Sequence, residues 1–117
     1  MIPFGTSLVT LLHSDDGKTW KPYRVTSASW SKRQARRIEE GASIVREETV
    51  CRIPAGGVIP SAGDVIVLGE CLESADGEIA LARLLERYRK WGAFRVQSVA
   101  DNARPRFPLP HYAARGE

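Results

Sequence analysis

A glycine-rich loop followed by an apolar run is the first feature with the composition of a phosphate-binding site. The stretch AGGVIPSAGDVIVLGE, residues 55–70, holds four glycines and ends in a β-branched run. A phosphate loop needs a lysine after the glycines and a helix behind it, so that backbone N–H groups point at the phosphate. Here Asp64 and a strand pattern follow Gly63, and a carboxylate repels phosphate. The sequence therefore predicts a turn into a strand, not a nucleotide site.

The residues that could act as nucleophile, base or metal ligand are few and scattered. His13 and His111 lie near opposite ends of the chain, and Cys51 and Cys71 are twenty residues apart. No spacing typical of a zinc site or a catalytic dyad connects them. We therefore expect a protein that is not an enzyme, with no metal and no cofactor. Two free thiols are expected, and a disulfide is the alternative if their strands are neighbours.

Basic residues are concentrated in one segment of a chain whose net charge is only +3. That net charge is too small to indicate a nucleic-acid-binding protein by itself. The segment SKRQARR contains Lys32, Arg33, Arg36 and Arg37. Because Glu39 and Glu40 follow at once, a solvated and partly self-neutralised surface is the plainer interpretation. Contact with DNA or with a protein partner is the functional one.

Turn signals and short β-branched runs indicate a mainly β protein in one domain, residues 1–117. Residues 7–13 and 19–29 are predicted to form a first hairpin around an Asp-Asp-Gly turn. ETVCRIP and DVIVLGECL are predicted to form a central hairpin, with Gly69 as a bulge or as a close approach by another backbone. Residues 31–47 have few apolar positions and are interpreted as a charged excursion with at most a turn of helix.

One helix is expected at about residues 77–91, because Leu81, Leu84, Leu85 and Tyr88 form a single apolar stripe. Asp76 is expected to cap its start. AFRVQSVA is then predicted to be a strand with Phe94, Val96 and Ser98 on one face, followed by a turn at Asp101–Asn102. The proline-rich segment 103–117 is expected to be an extended arm in which HYAAR adds at most an edge strand.

Five or six short strands with one helix predict a small antiparallel β-barrel or sandwich, with the helix over one opening or face. Trp20, Trp30 and Trp91 are expected to be core or interface anchors rather than base-stacking platforms. The amino terminus lacks the basic and long apolar regions of a signal peptide. No apolar run reaches the length of a membrane span, so no membrane contact is expected.

Three quoted segments, in order, resemble head–tail connector proteins of tailed phages and prophages, of the head-completion or minor capsid type. They are TWKPYRVTSASW, the pair ETVCRIP and GDVIVLGE, and FRVQSVADNARPRFPLPHY. The resemblance implies a small β-barrel that assembles as a ring between the portal or adaptor and the tail. It implies no cofactor and no catalytic residue. It also implies a location in the host bacterial cytoplasm during assembly and then in the virion neck.

The candidate contact residues follow from the charged segment and the proline-rich tail. Lys32, Arg33, Arg36 and Arg37 are candidates for contact with a DNA channel or a partner. Arg106, Phe107, His111 and Tyr112 are candidates for an assembly arm. The alternative function is a small nucleic-acid-binding barrel that uses the basic segment and Trp30.

Overall fold

Seven strands and one helix make up the computed structural model of the chain. It describes the backbone of residues 7–39, 41–102 and 110–117, and the side chains within them except those of 33, 35–39, 42–46 and 102. In chain order the elements are β1 (Ser7–His13), β2 (Thr19–Glu39), β3 (Ala42–Pro54), β4 (Val65–Leu68), β5 (Ala75–Asp76), α1 (Glu78–Tyr88), β6 (Ala93–Asn102) and β7 (His111–Gly116).

Six of the strands close into an antiparallel barrel. The order around it is β1-β4-β6-β7-β3-β2, and β2 pairs back with β1. The short β5 adds to the start of β2. Closure removes the free sheet edges from the barrel body. The prediction of a mainly β fold with one helix is confirmed, and the barrel is the form that the chain adopts.

The alternation of side chains along β1 and β4 builds two hydrophobic cores. Val9, Leu11 and Ile66 point into the barrel, where they pack with Phe94. Their neighbours, among them Leu12, Val65 and Val67, point outward against α1. Because successive residues of a strand face opposite sides, a fully apolar strand can serve both cores at once.

The apolar stripe of α1 closes the outer core as predicted. Leu81, Leu84 and Leu85 are buried against the barrel. The expected cap is wrong: the residue before the helix is Gly77, with φ of 94° and no side-chain cap bond. Asp76 instead pairs with Thr19 in the β5–β2 ladder. A positive φ at this position favours glycine. Asp76, which could otherwise cap the helix, is instead part of the β5–β2 pairing.

The interpretation of residues 31–47 as a charged excursion between two strands is wrong, because these residues belong to the strands themselves. β2 and β3 pair continuously from Ser29 with Arg52 to Glu39 with Ala42. We call residues 33–39 of β2 and 42–48 of β3 the arm. Among the described residues, these two stretches pair only with each other, because β7 joins β3 from Thr49 onward. Mutual pairing satisfies the backbone of a segment that has little apolar surface to bury.

The central hairpin predicted from ETVCRIP and DVIVLGECL does not form. β3 pairs with β2 and β7, whereas β4 pairs with β1 and β6. Gly69 lies just after β4 and donates its N–H to the carbonyl of Leu8 at 2.8 Å, so it is not a bulge within that strand. The register shifts lie elsewhere, between Ser7 and Val9 and between Val96 and Ser98.

The last part of the chain is more regular than the sequence predicted. Asp101–Asn102 belong to β6 and do not begin a turn there. Ser98 is exposed, because the register shift after Val96 moves it off the buried face. β7 lies between β3 and β6 in the barrel wall, so it is not an edge strand. The C-terminal segment 103–117, which was expected to be extended, therefore holds a barrel strand. Its residues 103–109 lie outside the described part.

Candidate functional site

The root of the arm meets the end of α1 in one open cleft of about 280 Å³. Four parts of the chain converge here: β2 and β3 where they leave the barrel, the turn between α1 and β6, and the residue that follows β7. The cleft is lined by Trp30, Lys32, Glu47, Thr49, Arg89, Gly92, Ala93 and Glu117. The arrangement offers an indole, two cations and two carboxylates around one opening, which is a surface for polar recognition.

Trp30 anchors this cleft to the barrel core. Its ring packs edge-on against Phe94, with centroids 5.4 Å apart and planes at 65°. Its side chain is half-buried, so one part belongs to the core and the rest lines the cleft. Trp20 is buried under α1, whereas Trp91 is exposed. The expectation of core anchors is confirmed for Trp20 and Trp30.

The basic residues singled out in the sequence begin in this cleft and continue along the arm. Lys32 is exposed and opposite Thr49 in the ladder. Arg33, Arg36 and Arg37 follow in the same strand, and their side chains lie outside the described part. The basic cluster therefore belongs to one strand of a paired ribbon.

Sequence reasoning did not connect Lys32 with the end of the helix. Arg89 lines the same cleft and forms an ion pair with Glu86, Nε to Oε1, at 3.0 Å. The two cations are far apart in the chain, and no local pattern relates them. Only the packing of α1 beside the arm root brings them together.

The second group of predicted contact residues is divided by the structure. His111 and Tyr112 are the first residues of β7 and are paired with β3 and β6. They are thus part of the barrel wall and not of a free C-terminal extension. Arg106 and Phe107 lie outside the described residues.

A hydrogen-bonded network that sequence reasoning missed occupies the opposite end of the barrel. The buried carboxylate of Asp64 accepts a bond from the Ser61 N–H at 2.9 Å and lies 2.7 Å from Nδ1 of His13. Nε2 of His13 lies 3.1 Å from the exposed carboxylate of Asp15. Burial of the imidazole opposes its charge, but the bonds and charges of Asp64 and Asp15 outweigh burial and raise the pKa of His13.

This network holds charge in place and leaves no free base. Both ring nitrogens of His13 face carboxylate oxygens, so the imidazole has no nitrogen open to take a proton from a substrate. Next to it, Arg95 forms a two-pronged ion pair with Glu78, with both bonds at 2.7 Å, and donates through Nε to the Gly63 carbonyl. These bonds tie the start of α1 to the loop before β4.

The two cysteines are free and buried in different cores, Cys51 in the barrel and Cys71 under α1. Burial raises the pKa of the Cys51 thiol to about 12, so it stays protonated and unreactive at neutral pH. No group of three potential metal ligands occurs within the described ranges. No helix within them has the length and apolarity to cross a membrane.

Fold and site together define a small closed β-barrel protein with one packed helix and a two-stranded arm. The family model that matches residues 4–117 describes a family of unknown function, DUF6751, and the chain belongs to that family. No curated protein and no solved structure shows a significant match to it.

Proposed function

We propose that this protein is a head–tail connector subunit of the head-completion type, from a tailed phage or prophage, and that it acts by protein–protein contacts in a ring. It would act in the host cytoplasm during assembly and then in the virion neck, between portal or adaptor and tail proteins. The arm carries this proposal. It is a ribbon that leaves a closed barrel and that no other described strand covers.

A closed barrel with an uncovered ribbon suits a subunit that assembles. The barrel body has no free edge, so it does not aggregate through its sheet. The arm presents both outer strand edges, and strand addition to such edges is a common mode of protein recognition. The order of the parts therefore favours specific contacts by the arm and an inert body.

The charge of the arm adds a second kind of contact. Its β2 side carries Arg33, Arg36 and Arg37, which continue from Lys32 at the root. Arginines at the lining of a ring can contact DNA phosphates without reading sequence. We therefore expect weak, salt-dependent and sequence-independent binding of duplex DNA.

Shortening the arm separates assembly from folding. Residues 33–48 are replaced by Asn-Gly, which joins Lys32 to Thr49 through a two-residue hairpin turn. The barrel is expected to fold, because the pairs from Ser29 to Lys32 are kept. Native mass spectrometry with the portal protein of the same genome is expected to show ring complexes for the full chain and none for the shortened one.

A persistent monomer in the presence of portal would overturn the proposal, as would equal assembly by the two proteins. A gene neighbourhood without portal and capsid genes would also count against it. Neutral replacement of Arg33, Arg36 and Arg37 tests the DNA contact separately. If duplex binding does not weaken in that variant, the arm does not contact DNA.

The second candidate function is a nucleic-acid-binding barrel, favoured by the cleft in which Trp30, Lys32 and Arg89 meet. Indole and cations are the groups that bind single strands. Glu47 and Glu117 line the same cleft and oppose a phosphate there. Fluorescence anisotropy with a single-stranded oligonucleotide decides: tight binding by a monomer, lost in Lys32→Gln with Arg89→Gln, would favour this function over the connector.

A further inference from the structure

The most exposed large apolar side chains gather around α1. Leu72 is 81% exposed, Ile79 is 73% exposed and Trp91 is 61% exposed. Of the described residues, only Ile59 is another large apolar side chain of comparable exposure. Ile79 lies on the helix, Trp91 follows it, and Leu72 lies in the loop before it. Ile79 and Trp91 each line a depression beside the helix, and exposed apolar side chains on one surface mark an interaction site.

Two depressions join along this outer face of α1. The first, of about 910 Å³, includes Ile79, Arg83 and Glu86 in its lining. The second, of about 400 Å³, includes Glu86, Lys90 and Trp91. Because both share Glu86 and Arg87, they form one continuous surface along the helix. We call it the α1 face.

The centre of the α1 face carries one cation and one anion, one helical turn apart. Arg83 has no ion-pair partner within the described part of the chain. Glu86 lines both depressions, and its side chain is 72% exposed although it forms an ion pair with Arg89. When two such helices lie antiparallel with their centres together, Arg83 of each copy meets Glu86 of the other. Glu78 takes no part, because its carboxylate is bound to Arg95 of the barrel.

We propose that the α1 face binds the same face of a second copy of this chain, with the two helices antiparallel about a two-fold axis. In this register Arg83 of each copy lies opposite Glu86 of the other. Ile79 of one copy then lies beside the Lys90–Trp91 end of the other. The small Ala82 near the centre lets the helices approach closely. A two-fold axis forms each contact twice.

A second protein copy fits this face better than a polyanion does. Arg87 is already bound to Glu73 at 2.8 Å, and Arg89 to Glu86 at 3.0 Å, so part of the positive charge is neutralised within the chain. Lys90 lies over the Trp91 ring, 4.3 Å from its centroid. Exposed Ile79 and Leu72 have no use in phosphate binding but are suited to a protein interface.

The pairing goes beyond the proposed function because it uses another surface. Ring assembly is assigned to the arm, whereas the pair forms through α1 and closes on itself. The arm-shortened chain is therefore expected to pair as the full chain does. Failure of either proposal leaves the other standing, since each has its own variant.

Charge reversal tests the pairing by sedimentation equilibrium of the full chain. The wild type is expected to dimerise with a dissociation constant of about 1–100 μM, the range of a small interface. Arg83→Glu and Glu86→Arg are each expected to weaken dimerisation by about tenfold, because the axis doubles every lost contact. The double variant R83E/E86R is expected to recover most of that loss. The control Arg24→Glu, an exposed residue on β2, is expected to change nothing.

Crosslinking gives a second, independent readout. When the single variants Arg83→Cys and Glu86→Cys are mixed and oxidised, a disulfide is expected to link one chain of each kind, while native Cys51 and Cys71 stay buried. A wild-type chain that remains monomeric at about 100 μM would overturn the proposal. So would a dimer that ignores both reversals, a double reversal without recovery, or reversals that alter oligonucleotide binding and leave the mass unchanged. Circular dichroism of each variant shows that it is folded.

Discussion

Asp64 joins the loop before β4 to the end of β1 through its carboxylate. Its carboxylate is buried and satisfies both the Ser61 N–H and the His13 ring. A buried carboxylate is tolerated only when it is paired and hydrogen-bonded, as it is here. In the sequence Asp64 indicated only a turn and the absence of a phosphate site, and nothing local pointed to its bond with His13.

The raised pKa of His13 makes stability depend on pH. Since the folded pKa lies above the ordinary 6.5, the charged imidazole contributes fully below that pH, and its contribution is lost as pH rises through the folded pKa. We expect the free energy of unfolding of the wild type to fall over this range, because the deprotonated imidazole loses its charged hydrogen bonds to Asp64 and Asp15. Urea titrations of wild type and His13→Gln from about pH 6 to about pH 9 measure it.

The difference in pH dependence of stability between wild type and His13→Gln reports on His13 alone, because the two proteins share every other titrating group. An equal slope in His13→Gln would contradict the assignment. Two further variants rank the carboxylates. Asp64→Asn is expected to flatten the slope strongly, whereas Asp15→Asn is expected to have a smaller effect, since its side chain is 88% exposed.

Gly116 is expected to be intolerant of any side chain. A Cβ added there would overlap the carbonyl oxygen of Arg95, where β6 and β7 approach at a register shift. Backbone cannot move aside cheaply, so Gly116→Ala is expected to destabilise by about 2–3 kcal/mol or more. The control is Gly57→Ala, whose Cβ would meet nothing within 4 Å and which is expected to be nearly neutral. Thermal melts compare them, and equal melting temperatures would contradict the close approach.

At the scale of elements, predictions succeeded where a pattern is local and failed where a partner decides. The stripe of α1 and the strand character of β1 and β4 follow from local residue patterns alone. The neighbours of β4 do not, because β1 and β6 compete with the sequence-adjacent β3 for its edges. A rule based on burial predicts no regular structure for residues 31–47, because they have few apolar positions. Their strands form because β2 and β3 pair with each other.

Two leucines, one in α1 and one in the loop before it, differ in burial and therefore in their expected contribution to stability. Leu84 is 2% exposed and fills the outer core, whereas Leu72 is 81% exposed. We expect Leu84→Ala to cost about 2–5 kcal/mol, because it leaves a cavity between helix and barrel. The same change at Leu72 is expected to stay within about 0.5 kcal/mol. Denaturant titration of dilute protein measures both, and similar losses would contradict the packing of α1.

At the scale of the whole molecule, the two cores are joined through shared strands. β1 and β4 each send alternate side chains into the barrel and toward α1. Neither core can open without disturbing the same two strands. The chain is therefore expected to unfold as one cooperative unit.

The buried thiols report on that unit. Cys51 lies in the inner core and Cys71 in the outer one, both at most 2% exposed. Under mild denaturant we expect both to be labelled by a thiol reagent with the same dependence on denaturant, because both await global unfolding. The single variants Cys51→Ala and Cys71→Ala assign each rate. Earlier labelling of Cys71 would show that α1 detaches before the barrel opens.

The sequence alone determined the class of fold and the helix with its buried stripe. These follow from periodicity, turn chemistry and residue type, which act within a few positions of the chain. Only the tertiary structure decided that the charged segment is a paired ribbon, that β7 lies inside the barrel wall, and that Arg89 joins the arm root. The bond between His13 and Asp64 belongs to the same group. Strand pairing is chosen among distant segments by the geometry of the closed barrel, and no local pattern records that choice.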